Sequence, residues 1–291
     1  MNIVFHLGAH CTDGGLLIRS LLQNRARLAE VGVGVPGPLA YREVLGETST
    51  RLRGEAAADD EALILDCIAP DPATERVILS NDNFLCRAGV ALGADCLYPK
   101  AAKSAWLRQC LPSHQVEFAF ALRNPAGFLP DLLSGRAGQP PGDEVLADGL
   151  WLDDLKWSDV VRRIAQANPG CPITLWCHED TPFIWPDIQR ALTGVDDAER
   201  LEGELDMVET IMSAEGYARL EAFLGAREVS NPTKRHRAIV AFLEAHAMAD
   251  AIEDEIDLPG WTEETVATLT GMYETDVERI AGMPGVTFLT P

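Results

Sequence analysis

The chain has 291 residues, of which 47% are hydrophobic, and its formal net charge is −21 at pH 7. This apolar content is enough for a substantial core, which excludes a disordered chain. An acidic surface repels nucleic acids and anionic membranes, so we expect no nucleic-acid partner, and a small anionic ligand would need a locally positive pocket.

Hydrophobic patterns predict strands and helices in alternation along the first two thirds of the chain. Short apolar runs predict strands at residues 2–7, 76–80, 116–122 and 172–177. Apolar residues at helical spacing predict helices at residues 14–31, 100–111, 152–167 and 183–192. A short helix is also predicted after Pro125. Glycine and proline break the pattern at 32–38, and residues 46–60 are interpreted as a surface loop or short helix.

The last third of the chain is predicted to be mainly helical, with helices at 214–225, 234–256 and 262–281. Between the two parts, residues 135–149 are rich in Gly, Pro and Asp and are predicted to form a flexible loop. The alternation of strands and helices predicts an α/β fold, with a parallel sheet of about five strands and helices on both faces. We treat residues 1–291 as one domain, in which approximately 210–291 form a helical C-terminal layer.

The cysteines and the apolar segments indicate where the protein resides. The seven cysteines are scattered and form no CxxC pair, which favours reduced thiols in a cytoplasmic protein. The N-terminus lacks a basic region followed by a long apolar stretch, so we expect no signal peptide. No window approaches about 18 uninterrupted apolar residues, so we expect no membrane span.

Polar clusters follow each of the four predicted strands. They lie at residues 10–15, 80–83, 123–124 and 178–180. In a parallel α/β sheet, ligands bind beyond the carboxyl ends of the strands. The sequence therefore predicts that these clusters converge on one binding site.

Several short segments resemble bacterial sulfotransferase-like proteins of the P-loop fold. His6–Gly15 falls in the frame of a loop that reads H-I-G-x-H-K-T-G-T-T in that family. Leu122–Pro125 matches the start of the second family signature, a strand followed by R-[DN]-P. Two later family features, an acidic pair after a strand and a C-terminal helix, are matched by Glu179, Asp180, Leu269, Tyr273 and Asp276. The matches cover most of the chain in the expected order.

The resemblance implies a three-layer, P-loop NTPase-like fold and a sulfotransferase activity. Such enzymes transfer a sulfuryl group from 3′-phosphoadenosine 5′-phosphosulfate (PAPS) to a hydroxyl or amine, here of a small-molecule or saccharide acceptor. PAPS or its desulfated product, 3′-phosphoadenosine 5′-phosphate (PAP), would be the bound nucleotide. Arg123 and Ser134 would hold its 3′-phosphate. The 5′-phosphosulfate would lie on the loop after the first strand, at Gly8, Cys11, Thr12, Gly14 and Gly15.

The sequence departs from the family pattern at the residues that carry the chemistry. Cys11 occupies the lysine position and Asp13 that of a loop glycine, while the serine expected eight residues after Arg123 is Asp131. Sulfuryl transfer needs a cation where charge develops, and a carboxylate about 4–6 Å from the anion would repel it by about 1–4 kcal/mol. Asp13 or Thr12 could instead cap the following helix. These departures favour an alternative, a catalytically inactive P-loop scaffold that binds or assembles with a protein through its acidic surface.

His10 and Asp82 are the candidate general bases. His10 lies in the loop of the predicted site, and an unperturbed histidine titrates near neutrality. Asp82 follows the second predicted strand, where some sulfotransferase relatives carry an acidic base, and it fits a turn residue equally well.

Histidine and cysteine side chains near two strand ends raise the question of a metal site. The candidates are His6, His10, Cys11, Cys177 and His178. Cysteine and histidine are suitable zinc ligands, but these residues follow no recognised ligand spacing. We therefore predict no metal site, and interpret His6 as a core residue and Cys11 as a small buried thiol.

Overall fold

The structure, a computed structural model, describes most of the chain. The described residues are 1–56, 60–69, 71–93, 95–138, 140, 152–195, 201–226, 231–252, 258 and 261–291. Most of the loop predicted at 135–149 lies outside them, as do residues 57–59 of the segment predicted at 46–60 and residues 253–256 of the one predicted at 234–256.

Six strands of the described chain form a single sheet in which all neighbouring strands are parallel. They are β1 (Asn2–His6), β2 (Val33–Gly34), β3 (Arg76–Ser80), β4 (Gln115–Leu122), β5 (Ile173–Cys177) and β6 (Val286–Leu289). The predicted parallel sheet is confirmed, and so are the four predicted strands, to within one residue at each end. The sequence did not predict the two edge strands, β2 and β6.

The order of the strands determines where a crevice forms at the carboxyl edge of the sheet. The order is β2-β3-β1-β4-β5-β6, so β1 lies in the interior between β3 and β4. From β1 the chain runs towards β2 on one side of the sheet, whereas from β3 it crosses to β4 on the other side. Connections that diverge in this way leave a crevice at the carboxyl ends of the strands. The end of β1 therefore lies where a ligand site is expected.

Helices cover both faces of the sheet, in agreement with the predicted three-layer arrangement. Their bounds are α1 (Leu16–Gln23), α2 (Arg25–Glu30), α3 (Pro38–Leu52), α4 (Glu61–Ile68), α5 (Ser104–Gln109), α6 (Pro125–Leu133), α7 (Trp157–Ala167), α8 (Thr181–Thr193), α9 (Asp206–Ile211), α10 (Ala214–Ala226), α11 (Pro232–His246), α12 (Ala249–Ile252) and α13 (Glu263–Ala281). One face packs on α1 and α8. The other packs on α3 to α7 and on α13.

Side chains of β1 alternate between these two cores. Ile3 and Phe5 are fully buried beneath α3 to α7, and Val4 is buried on the α1 side. His6, the last residue of β1, lies on the same side as Val4 and stacks on the ring of Trp176, with 5.9 Å between ring centroids. A strand buried on both faces is typical of a parallel sheet, and it holds the following loop in a fixed place.

The segment predicted as one helix at 14–31 is two helices that meet at Asn24. The Asn24 side chain donates hydrogen bonds to the carbonyl oxygens of Ser20 and Glu202, and accepts one from the Glu202 N–H. The break between the two helices is therefore fixed by a contact with a residue 178 positions away in the sequence. The pattern of apolar residues within the segment could not predict this contact.

Helices α9 to α11 form a separate small core, built around Val208, Leu220, Ile239 and Leu243. Helix α13 then returns to the α6–α7 side of the sheet, and β6 joins β5. The helix predicted at 234–256 is divided between α11 and α12 in the described residues. Within the described chain, no helix combines the length and the apolar character needed to span a bilayer.

Candidate functional site

A polar cavity of about 520 Å³ opens at the carboxyl edge of the sheet, beside the end of β1. Its walls come from the loop after β1, from the ends of β3 and β4, and from α3, α6 and α12. The cavity contains seven of the nine predicted site residues: Gly8, Cys11, Thr12, Gly14, Gly15, Asp82 and Arg123. A second cavity of about 500 Å³, beside β2, has mainly apolar walls and contains none of them.

The loop after β1 adopts a conformation that suits glycine. Gly14 and Gly15 have φ angles of 56° and 76°, in the left-handed region, immediately before α1 begins. Gly8 has φ 102°, and a Cβ there would lie 3.2 Å from the Cα of Asp82. The glycine therefore allows this loop to approach the end of β3. Among the described residues, no hydrogen-bond acceptor is found for the backbone N–H groups of Gly14 and Gly15.

Asp13 hydrogen-bonds the first turn of α1, close to the capping role that the sequence left open for it, although the N-cap position itself is Gly15. Its Oδ2 accepts a hydrogen bond of 2.8 Å from the Leu17 N–H, and its carbonyl oxygen accepts one of 2.9 Å from the Leu16 N–H. The Thr12 hydroxyl instead donates to the carbonyl oxygen of Ala9 at 2.8 Å. Asp13 thus places a carboxylate at the positive end of the helix dipole, on the wall of the cavity.

Arg42 brings a positive charge that the loop itself lacks. Its Nε and Nη2 donate to the backbone carbonyl oxygen of Ser80, at 3.1 and 2.9 Å, which holds the guanidinium against the end of β3. No carboxylate of the described chain lies within ion-pair distance of Arg42. The sequence did not point to this residue, because α3 reaches the cavity only through its packing on the sheet.

The other two arginines of the cavity share one carboxylate. Arg123 lies 2.7 Å from Asp131, and Arg136 lies 2.6 Å from the other oxygen of the same carboxylate. Arg123 also donates to the carbonyl oxygen of Cys11, so it braces the loop after β1. In the sequence, Asp131 stands out only as a departure from the family pattern. The structure shows it as the counter-ion of both arginines.

The two predicted general bases lie in different environments. Asp82 lines the cavity, and its Oδ1 accepts a hydrogen bond of 3.2 Å from the Asn83 side chain. His10 is fully buried and does not line the cavity, and its Nδ1 lies 2.8 Å from the Tyr98 hydroxyl. Burial lowers the pKa of His10, although Asp82 opposes this effect. Of the two, only Asp82 is placed where a ligand could contact it.

Two histidines line the cavity, His6 and His178. His6 Nδ1 lies 2.9 Å from the Ser80 hydroxyl, and burial lowers the His6 pKa against the opposing effect of Asp13 and Asp82. The pKa of His178 is lowered to about 4, chiefly by burial and secondly by Arg123. The buried Nδ1 of His178 has no hydrogen-bond partner within the described chain. Both rings are therefore uncharged at neutral pH.

The remaining predicted residues have mainly structural contacts. Ser134 is exposed at the end of α6, outside the cavity, and its hydroxyl donates to the carbonyl oxygen of Asp131 at 2.9 Å. Burial raises the pKa of the Cys11 thiol to about 12, so it is neutral. Glu179 accepts hydrogen bonds from the Asn124 N–H and the Tyr273 hydroxyl, at 2.7 and 3.1 Å, and so ties the end of β4 to α13.

The described residues contain no group of three or more His, Cys, Asp or Glu side chains that could hold a metal ion. No family model, curated protein or solved structure matches the chain.

Proposed function

We propose that this protein is a sulfotransferase-like protein that binds a sulfated or phosphorylated nucleotide, PAPS or PAP, in the cavity beside β1. The observation that carries the proposal is Arg42, a cavity cation with no carboxylate partner in the described chain. The resemblance of His6–Gly15 and Leu122–Pro125 to the sulfotransferase-like signatures supplies the class of ligand.

Two kinds of donor line this cavity together. The N–H groups of Gly14 and Gly15 stand at the start of α1, where a helix favours an anion. The Arg42 guanidinium is planar and can offer two parallel N–H groups to a sulfate or phosphate. Arg42 would then supply the charge that the family lysine supplies elsewhere. The absence of lysine at Cys11 does not leave the cavity without a cation.

The reaction that the resemblance implies is transfer of a sulfuryl group to the hydroxyl or amine of a small molecule or saccharide. The acceptor must lose its proton as the new bond to sulfur forms. Asp82 is the better placed of the two predicted bases for this role, because it lines the cavity whereas His10 does not. In this proposal Asp82 accepts that proton, and Arg42 stabilises the negative charge on the departing PAP.

A second candidate function is binding or assembly without catalysis. Two carboxylates, Asp13 and Asp131, line the cavity where the family pattern has a glycine and a serine. Both reduce the local positive potential that transfer from a phosphosulfate requires. A formal net charge of −21 would also suit a basic protein partner.

Isothermal titration calorimetry with PAPS and PAP tests the proposal. Wild type should bind both, and Arg42→Gln should weaken binding at least 10-fold, because a hydrogen bond to a charged group contributes about 1.5–3 kcal/mol. Arg51→Gln is the matched control, since Arg51 lies on the same helix but pairs with Asp60. No binding to wild type at millimolar ligand would refute the proposal. Release of PAP from PAPS then separates the sulfotransferase from the inactive scaffold.

A further inference from the structure

We propose that Asp131 is an internal counter-ion, which makes binding in this cavity depend on one anionic group of the ligand and gain little from a second. The inference rests on the proposed function, since it assumes that an anion binds beside Arg42. It adds which part of the ligand the cavity recognises, a single sulfate or phosphate group, and it assigns this selection to a single residue.

The Arg123–Asp131 ion pair is shielded from water. The two side chains are 6% and 14% exposed, and their charged atoms lie 2.7 Å apart. Arg136 approaches the same carboxylate from the solvent side, at 2.6 Å, with 61% of its side chain exposed. All three residues line the cavity. One carboxylate thus neutralises a large part of the charge of two guanidinium groups, and a buried pair is screened little by salt.

The arginines of the cavity therefore differ in how strongly each can bind an anionic group of a ligand. An anionic group beside Arg42 meets a guanidinium that is bound to a neutral carbonyl oxygen. A second anionic group directed at Arg123 has to compete with Asp131 for it. At the start of α1, the Asp13 carboxylate already accepts a hydrogen bond from the Leu17 N–H. Because like charges a few ångströms apart repel strongly where water is scarce, a second anionic group gains little.

The rest of the lining favours a neutral, hydroxyl-bearing body for the ligand. Thr12 and Ser80 present hydroxyl groups, and His6 and His178 present uncharged rings. Asp82 can accept a hydrogen bond from a ligand hydroxyl. A nucleoside or sugar that carries a phosphate or sulfate ester has this combination of an anionic group and several hydroxyl groups.

A ligand-and-mutant cycle measures the selection directly. AMP and PAP differ by one phosphate, so the ratio of their dissociation constants reports the value of a second anionic group. In wild type this ratio should stay within about 3-fold of unity. In Asp131→Asn, PAP should bind at least about 10-fold more tightly than AMP, because the second phosphate no longer meets the carboxylate that pairs with Arg123 and Arg136. Asp159→Asn, which removes a partly exposed carboxylate paired with Arg162, should leave the wild-type ratio unchanged.

The outcomes separate this inference from the proposed function. A wild-type protein that already prefers PAP by about 10-fold overturns the inference, and so does an Asp131→Asn ratio equal to that of wild type. If neither AMP nor PAP binds to wild type or variant, the proposed function itself fails, and the inference falls with it. If Asp131→Asn does not fold, Asp131→Ser replaces it, because the serine hydroxyl can still accept a hydrogen bond from Arg123.

Discussion

The charged side chains at the carboxyl edge of the sheet differ in the partners that they already have, and these partners determine which side chain can bind a ligand. Asp13 is engaged by the first turn of α1, and Asp131 by two arginines. Arg42 is held by a carbonyl oxygen alone in the described chain. A buried charge that already has a partner contributes less to a ligand than one that does not. Arg42 is therefore the residue on which binding should depend most.

His178 should make the stability of the protein depend on pH. Its folded-state pKa is lowered to about 4, chiefly by burial, with Arg123 acting in the same direction and Asp13 and Asp131 opposing it. Between about pH 6.5 and 4, His178 binds a proton in the unfolded chain but not in the folded protein. The free energy of unfolding therefore decreases as the pH falls. The loss amounts to about 3 kcal/mol at most.

Urea denaturation at pH 7.5 and pH 5 checks this expectation. His178→Gln should lose clearly less stability than wild type between the two pH values. His114→Gln, in the turn before β4, serves as the control and should behave as wild type does. An equal loss in wild type and His178→Gln would show that His178 is not the source of the pH dependence.

The sequence predicted part of the site and could not predict the rest. Gly14, Gly15, Asp82 and Arg123 follow three different strands, and the rule that the carboxyl ends of parallel strands share one edge is enough to bring them together. Arg42 follows no strand and lies on a helix whose rotation is set by Tyr41 packing into the core. His10 stands in the loop sequence, yet its contact with Tyr98 turns it away from the cavity.

At the scale of helices and strands, the packing of α10 against α11 depends on a single glycine. A Cβ on Gly216 would lie 2.3 Å from the Cβ of His246, so the two helices could not keep their separation. Gly216→Ala should lower the free energy of unfolding by about 1–3 kcal/mol, the usual cost of overpacking. Chemical denaturation measures the change.

Gly225→Ala is the matched control, because Gly225 lies in the same helix and a Cβ there would meet no described atom within 4 Å. Alanine is favoured over glycine in a helix by about 1 kcal/mol, so this variant should be unchanged or more stable. Two variants of equal stability would contradict the close packing at Gly216.

The elements that the sequence predicted are those whose pattern is set locally. The apolar runs of β1, β3, β4 and β5 are buried along most of their length, and such runs are the strongest signal for a parallel strand. Strand β2 has only two residues, and β6 is partly exposed along its length. Both segments are strands because they pair with a neighbouring strand. The sequence of a short segment does not predict which strand it will pair with.

At the scale of the whole molecule, an acidic protein holds a small, charge-balanced cavity at the point where its chain connections diverge. The net charge of −21 disfavours anions near most of the surface. The order β2-β3-β1-β4-β5-β6 places the loop after β1 between the ends of β3 and β4, where arginines from α3 and β4 can reach it. Local concentration of cations is what would allow such a chain to bind an anion.

The most direct test is a crystal structure of the protein with PAP. We expect density for one phosphate in the cavity beside β1, in contact with the Arg42 guanidinium and the N–H groups of Gly14 and Gly15. An empty cavity at saturating PAP, or a nucleotide bound elsewhere on the protein, would contradict the proposed site.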